Sequence, residues 1–237
     1  TEMIASLTQC TRFAMLLYGI KDMRLFYDGF PRDAHPMDVL RTAVSFIGAQ
    51  DPAWNDMSPE SARQKSLSLM AKLPAIMAAT IRMRYGLDVI EPREDLGFSE
   101  NFFYMCFEKV PQAEIAKAFD ATMILYAEHG FNASTFTART IASTNADIYS
   151  AVTGAIGALK GPIHGGANEA VMTMLEEIGI PERAEDWLKY KLSKKEKIMG
   201  FGHAVYKSGD ARVPYLKKLF NDVAALNNGQ RLLETAQ

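Results

Sequence analysis

Along most of the chain, apolar residues recur every three or four positions, the spacing that gives a helix one buried face. A helix over Met37–Ala49 follows the turn Phe30-Pro31-Arg32-Asp33-Ala34-His35-Pro36, with Pro36 at or just before its first position. Ser58 reads as an N-cap before Pro59, and the pattern it opens runs to Tyr85, with Gly86 as its stop and a kink expected at Pro74. Further helices are predicted over Asn101–Lys109, Pro111–Glu128, Asp147–Leu159, Gly165–Ile178, Ala184–Leu192 and Arg212–Leu226. No run of alternating polarity is long enough for a strand, and no segment repeats at a fixed period. The predicted fold class is all-α.

Composition adds bounds. With 237 residues, 48% of them hydrophobic, the chain can bury a sizeable core as one large domain or two modest ones. A formal net charge of -2, with acids and bases mixed throughout, argues against nucleic acid or an anionic membrane as the main partner. Cys10 and Cys106 lie in unrelated segments without CxxC spacing; both read as small buried hydrophobes in a reducing compartment. No apolar run reaches the ~18–20 residues that span a bilayer, and Glu2 falls where the basic start of a signal peptide would lie. A soluble, cytoplasmic protein is expected.

Glycine, by contrast, is unevenly spread. It gathers in Gly161-Pro162-Ile163-His164-Gly165-Gly166 and in Gly200-Phe201-Gly202-His203, each at a boundary between helical patterns and each holding one of the four histidines. Glycine there lets a backbone approach a ligand closely or turn where a Cβ would clash. His164 is predicted at a helix N-terminus, where the helix dipole disfavours a further positive charge. A neutral imidazole so placed can donate its N–H to a substrate carbonyl and stabilise an enol. The alternative is a turn histidine satisfied by local backbone.

His203 ends the second glycine turn, with Tyr206, Lys207, Asp210 and Arg212 close behind. Lys207 and Arg212 supply charge for an anion, and a planar guanidinium suits a carboxylate through two parallel hydrogen bonds. Read by itself, the segment is a basic solvated turn more often than a ligand clamp. No Gly-Lys-Ser/Thr makes it a P-loop, and the third glycine and preceding strand of a dinucleotide fingerprint are absent. His129 lies at a predicted helix end, where a histidine usually caps carbonyls, and His35 reads as structural. The histidines lie dozens of residues apart without HxxxH or HExxH, so no metal site is predicted.

Together these segments resemble the citrate synthase family. Tyr126-Ala127-Glu128-His129-Gly130-Phe131-Asn132-Ala133-Ser134-Thr135, Gly161 through Glu169, and Gly200 through Arg212 occur in that family's order and spacing, and His35-Pro36-Met37-Asp38 is similar to a further family segment. The resemblance covers nearly the whole chain. It implies condensation of oxaloacetate with the enol of an acyl-CoA thioester, giving citrate or a homologue, with no cofactor beyond the CoA substrate itself. By position, His164 resembles the histidine that donates to the thioester carbonyl, with Ser134 as a partner that orients it. His203 resembles the histidine that polarises and protonates the oxaloacetate keto group. His129 and Arg212 match oxaloacetate-binding positions. The backbone of Met199, Gly200, Phe201 and Gly202 resembles the loop that holds the CoA adenine, and Lys207 a basic position near its phosphates.

Two departures stand out. Ala204 occupies a position where many members carry arginine, which we read as variation. The family's catalytic aspartate, the base that removes the methyl proton, lies well downstream of Gly-Phe-Gly-His and is followed by two further oxaloacetate-binding arginines. None of these has a counterpart here, and Asp222 is too near His203 and lacks the context. The residues are therefore expected to be part of a longer polypeptide. The resemblance also implies two helical domains, a large one from 1 to 163 and a small one from 164 to 237, with the active-site cleft between them. It further implies a homodimer, for which Ile148–Leu159 is a candidate contact. Two rivals remain at this stage: the same chemistry on propionyl-CoA, giving 2-methylcitrate, and a binding fragment that holds oxaloacetate or CoA without chemistry.

Overall fold

The computed structural model describes residues 27, 29–127, 130–202, 206, 209–226 and 235–236, and every regular element among them is a helix. The expectations for Cys10, His129, His203, Ala204 and Lys207 lie outside the described residues. In chain order α1 spans Pro36–Gln50, α2 Pro59–Arg84, α3 Phe98–Phe107, α4 Ala113–Ala127, α5 Ala133–Ala142, α6 Ile148–Lys160, α7 Gly166–Ile178, α8 Ala184–Ser193 and α9 Val213–Leu226; a 3-10 turn, Pro181–Arg183, precedes α8. Among the described residues no helix is long and apolar enough to cross a membrane. The chain divides into a first unit, Thr1–Ala116 with Gly130–Leu159, and a second, Lys117–His129 with Lys160–Gln237.

Helix starts in the first unit follow local chemistry. His35 is the N-cap of α1, its Nδ1 accepting the Met37 N–H at 3.1 Å, so its structural reading holds. Ser58 Oγ accepts the Ser61 N–H at 3.3 Å ahead of Pro59, and α2 then runs on through Pro74. Helix α3 begins at Phe98, not Asn101, because the Glu100 carboxylate accepts the Gly97 N–H at 2.8 Å and closes the first turn early. It stops at Phe107, where Glu108 turns left-handed at φ 60° and donates its N–H to Tyr104 O at 2.8 Å. Helix α4 begins at Ala113, not Pro111, since its first turn closes on the Gln112 carbonyl, which accepts from Ile115 and Ala116 at 3.0 and 3.1 Å.

Helix α5 lies where no helix was predicted. Asn132 Oδ1 caps it by accepting the Thr135 N–H at 2.9 Å, and Thr137 and Thr140 fold their hydroxyls onto the carbonyls of Ala133 and Phe136 at 2.8 and 2.9 Å. It buries no residue of its own, and its Ser134, Thr135, Thr137 and Thr140 are weak helix formers, so the segment does not read as a helix by propensity.

Helices α1, α2, α3 and α6 share one core with Tyr27. Val39, Leu40, Ala43, Val44 and Ile47 form the buried stripe of α1, facing Leu69, Ala71, Ala75, Ile76, Ala78 and Ala79 of α2 and Met105 of α3. Gly48 lets α6 come close: a Cβ there would stand 2.6 Å from Tyr149 Cβ, and the Tyr149 hydroxyl donates to Asp51 Oδ2 at 2.8 Å. Cys106 is a buried free thiol in this core, and burial pushes it up to about 11.

The second unit buries less among its described residues: Leu175 and Ile178 of α7 and Ala224 of α9. Its surface contacts are polar. Trp187 Nε1 donates to Glu177 Oε2 at 3.2 Å, while Lys191 reaches Glu196 at 2.9 Å and Glu177 at 3.7 Å and stands over the Trp187 ring.

Candidate active site

The first glycine cluster is a turn forced by backbone crowding. The N–H groups of His164 and Gly166 both donate to Gly161 O, at 2.9 and 3.1 Å, and the chain enters α7 at once. A Cβ on Gly166 would stand 2.8 Å from Lys160 O and 2.9 Å from Gly161 O. Any larger residue would push these backbones apart, so glycine is required by space. The half-buried His164 is thereby held at the N-terminus of α7, where the sequence placed it, with its carbonyl accepting the Ala167 N–H at 3.1 Å.

The second cluster needs glycine for conformation. Gly200 and Gly202 adopt φ 86° and φ 77°, which side chains other than glycine rarely tolerate. Gly200 also lies against α7, where an added Cβ would be 3.1 Å from Val171 Cγ2. The loop of Met199, Gly200, Phe201 and Gly202 thus rests on the helix that begins beside His164. Met199 is half-buried, while Phe201 and Gly202 are exposed. Ser134 is half-buried in the first turn of α5 and belongs to the first unit, whereas His164 belongs to the second.

Arg212 is held by a two-point contact with Asp210. Its Nε donates to Asp210 Oδ1 at 3.1 Å and its Nη2 to Oδ2 at 2.7 Å. Nη1 points at Leu125 O at 3.5 Å, and the guanidinium lies over the Tyr126 ring, 5.2 Å from its centre. The neighbouring carboxylate raises the Arg212 pKa still further. Leu125 and Tyr126 stand at the end of α4, beside His129 in the chain. Sequence reasoning gave Asp210 and Tyr126 no part here. The signal was present only as an Asp-x-Arg spacing, which does not say whether the two side chains meet.

Comparison with known proteins gives these positions a family. Residues 11–237 match the family model described as citrate synthase, C-terminal domain. The chain is 55% identical over 207 residues to a 2-methylcitrate synthase of Mycobacterium tuberculosis, covering 87% of this chain and 52% of that protein. It is 53% identical over 214 residues to a citrate synthase of Mycolicibacterium smegmatis, covering 90% and 57%. Its structure is similar to citrate synthase from Thermotoga maritima, with a TM-score of 0.77 at 36% identity over 96% of this chain and 60% of that one. It is also similar to the ternary complex of carboxymethyl coenzyme A and oxaloacetate with citrate synthase from Thermoplasma acidophilum, with a TM-score of 0.83 at 26% identity over 99% and 61%. The chain spans about half the length of the curated relatives it matches. With a family model covering nearly all of its residues, the chain belongs to the citrate synthase family.

Proposed function

We propose that the whole protein condenses an acyl-CoA thioester with oxaloacetate and hydrolyses the product thioester, releasing CoA and citrate or a homologue. A proton leaves the carbon next to the thioester carbonyl, the resulting enol attacks the keto carbon of oxaloacetate, and the keto oxygen gains a proton. Water then cleaves the thioester. In this reading His164 donates to the thioester carbonyl and stabilises the enol, with Ser134 orienting it. His203 protonates the keto oxygen, and His129 and Arg212 bind oxaloacetate. Met199, Gly200, Phe201, Gly202 and Lys207 hold CoA, and the base comes from a part of the protein beyond these residues.

The observation that carries the reading is the convergence of both glycine turns on α7. His164 is at the start of that helix, and Gly200 is against Val171 early in the same helix. Helix N-termini favour developing negative charge nearby, which is what an enolate oxygen presents. The direct test is CoA thiol release by the full-length protein with oxaloacetate, together with His164→Ala. That substitution is expected to abolish turnover while leaving oxaloacetate binding largely intact; unchanged turnover would overturn the assignment.

A second reading, propionyl-CoA as the acyl donor, is favoured by the 55% identity to a 2-methylcitrate synthase. One methylene is worth only ~1–3 kcal/mol in an apolar pocket, so the ratio of kcat/KM for acetyl-CoA and propionyl-CoA decides between them. We also assign the protein to a reducing compartment such as the cytoplasm, a reading supported by the free thiol of Cys106. We further assign a homodimer, supported by the exposed Phe131 and Phe136 beside α5, whose rings meet edge to face, 5.8 Å between centres. Sedimentation equilibrium tests the assembly, and a monomer at micromolar concentration would refute it.

A further inference from the structure

An arginine that binds a substrate carboxylate must present two N–H groups in one plane, and its long side chain loses entropy in doing so. Arg212 has already lost it. Of its five N–H donors, Nε and one from Nη2 go to the Asp210 carboxylate, and one from Nη1 points at Leu125 O. What remains is one N–H on each Nη. With Asp210 on the Nε–Nη2 edge, the remaining Nη2 N–H lies on the end of the guanidinium, and Nη1, whose contact to Leu125 O is a long 3.5 Å, keeps a donor for a ligand beside it. Tyr126 supports one face of the plane. The edge left over is the one a second carboxylate would take end-on.

We infer that Asp210, with Tyr126, is a positioning residue that holds the Arg212 guanidinium with its end-on edge presented to a substrate carboxylate. This rests on the reading above that Arg212 binds oxaloacetate. Asp210 anchors the arrangement through its own turn as well, because its Oδ1 accepts the Arg212 backbone N–H at 2.9 Å. Its carbonyl accepts the Val213 N–H at 3.0 Å as α9 begins. The contacts to Leu125 and Tyr126 tie the guanidinium to a segment 87 residues earlier in the chain.

Positioning and plain charge predict opposite signs. Asp210 is an anion beside the site of a dianion, so by charge alone its removal would tighten oxaloacetate binding. If Asp210 positions Arg212, its removal weakens binding. Asp210→Asn is the clean variant, because its amide oxygen can keep the Asx turn and the Nε contact while its NH2 faces Nη2 donor to donor.

The experiment measures oxaloacetate KM, acyl-CoA KM and kcat in the full-length protein for Asp210→Asn, Asp210→Ala, Arg212→Ala and Asp210→Ala/Arg212→Ala, with urea midpoints to compare folding. We expect Asp210→Ala to raise oxaloacetate KM about tenfold or more and Asp210→Asn to raise it less. Acyl-CoA KM should stay unchanged, and the double variant should be no worse than Arg212→Ala. A lowered or unchanged oxaloacetate KM in Asp210→Asn would overturn the inference. So would an Asp210 effect that persists in full without Arg212, which is what a merely structural role predicts. If Arg212→Ala itself leaves oxaloacetate KM unchanged, the assignment of Arg212 has failed, and the inference falls with it.

Discussion

The two units spend their residues differently. In the first, four helices close over a core of fully buried side chains, and even the buried polar groups serve the fold. Lys65 Nζ donates to the carbonyls of Ala53, Trp54 and Asp56 at 2.6, 3.3 and 2.9 Å. Arg82 donates from Nε to Asp88 O, and Asn101 links Arg93 and Leu96 to α3. The described part of the second unit has few buried side chains, and its particular features are backbone ones. They comprise a glycine jammed against two carbonyls, two glycines at positive φ, and an Asx turn leading into an arginine. The difference is that apolar area stabilises the first unit, whereas turn geometry positions the candidate chemistry in the second. Substitutions should separate the two.

The largest expected effect is in the first unit. Ile76, nearly solvent-free on the core face of α2, should cost about 2–5 kcal/mol of stability as Ile76→Ala. Urea denaturation measures it, and oxaloacetate and acyl-CoA KM should not move; a changed KM would break the contrast between the units. Gly166→Ala should cost about 1–3 kcal/mol through the clash with Lys160 and Gly161 carbonyls. Unlike the core change it should also lower kcat, roughly tenfold or more, by displacing His164. Wild-type kcat in Gly166→Ala would show that the turn does not set the histidine. Lys65→Met should cost about 1–3 kcal/mol by leaving three carbonyls without their donor. Limited proteolysis should then find the 51–57 loop more accessible, with activity of the surviving protein unchanged.

The smallest effect concerns Cys106. Its folded pKa, pushed up to about 11, lies above its ordinary value of 9.0. The protonated thiol therefore favours the folded state fully below pH 9, and that contribution fades as pH rises towards about 11. Cys106→Ala should flatten this part of the stability profile relative to wild type. Native Cys106 should likewise resist a disulfide reagent at pH 8 and react on unfolding; rapid labelling of Cys106 itself in the folded protein, located by peptide mapping, would contradict its burial.

Much of the fold was legible because it depends on neighbours in the chain. Pro36 and Pro59 marked helix starts, Gly86 a stop, and the α1 stripe repeated at the helical period. Where prediction slipped, the deciding contact was a hydrogen bond in the first turn that residue type alone did not reveal. Glu100 drew α3 back to Phe98, and Gln112 rather than Pro111 opened α4. Helix α5 was missed because its serine and threonines are weak helix formers, and the bonds from the hydroxyls of Thr137 and Thr140 back to the helix that satisfy them leave no trace in spacing. Of the candidate site, residue types were legible and contacts were not. His164, the glycines and Arg212 stood out by residue type and spacing, while the residues that hold Arg212 did not.

By itself the sequence determined the all-α class, most helix starts, the position of His164 at the head of α7 and the resemblance that named its family. Each rests on residues within a turn or two of one another, or on motifs kept in order. The tertiary structure decided why Gly166 must be glycine, that Gly200 rests on Val171, and that Arg212 lies between Asp210 and the end of α4. These are matters of which atoms meet across the chain, and spacing carries no record of distance between segments far apart in sequence.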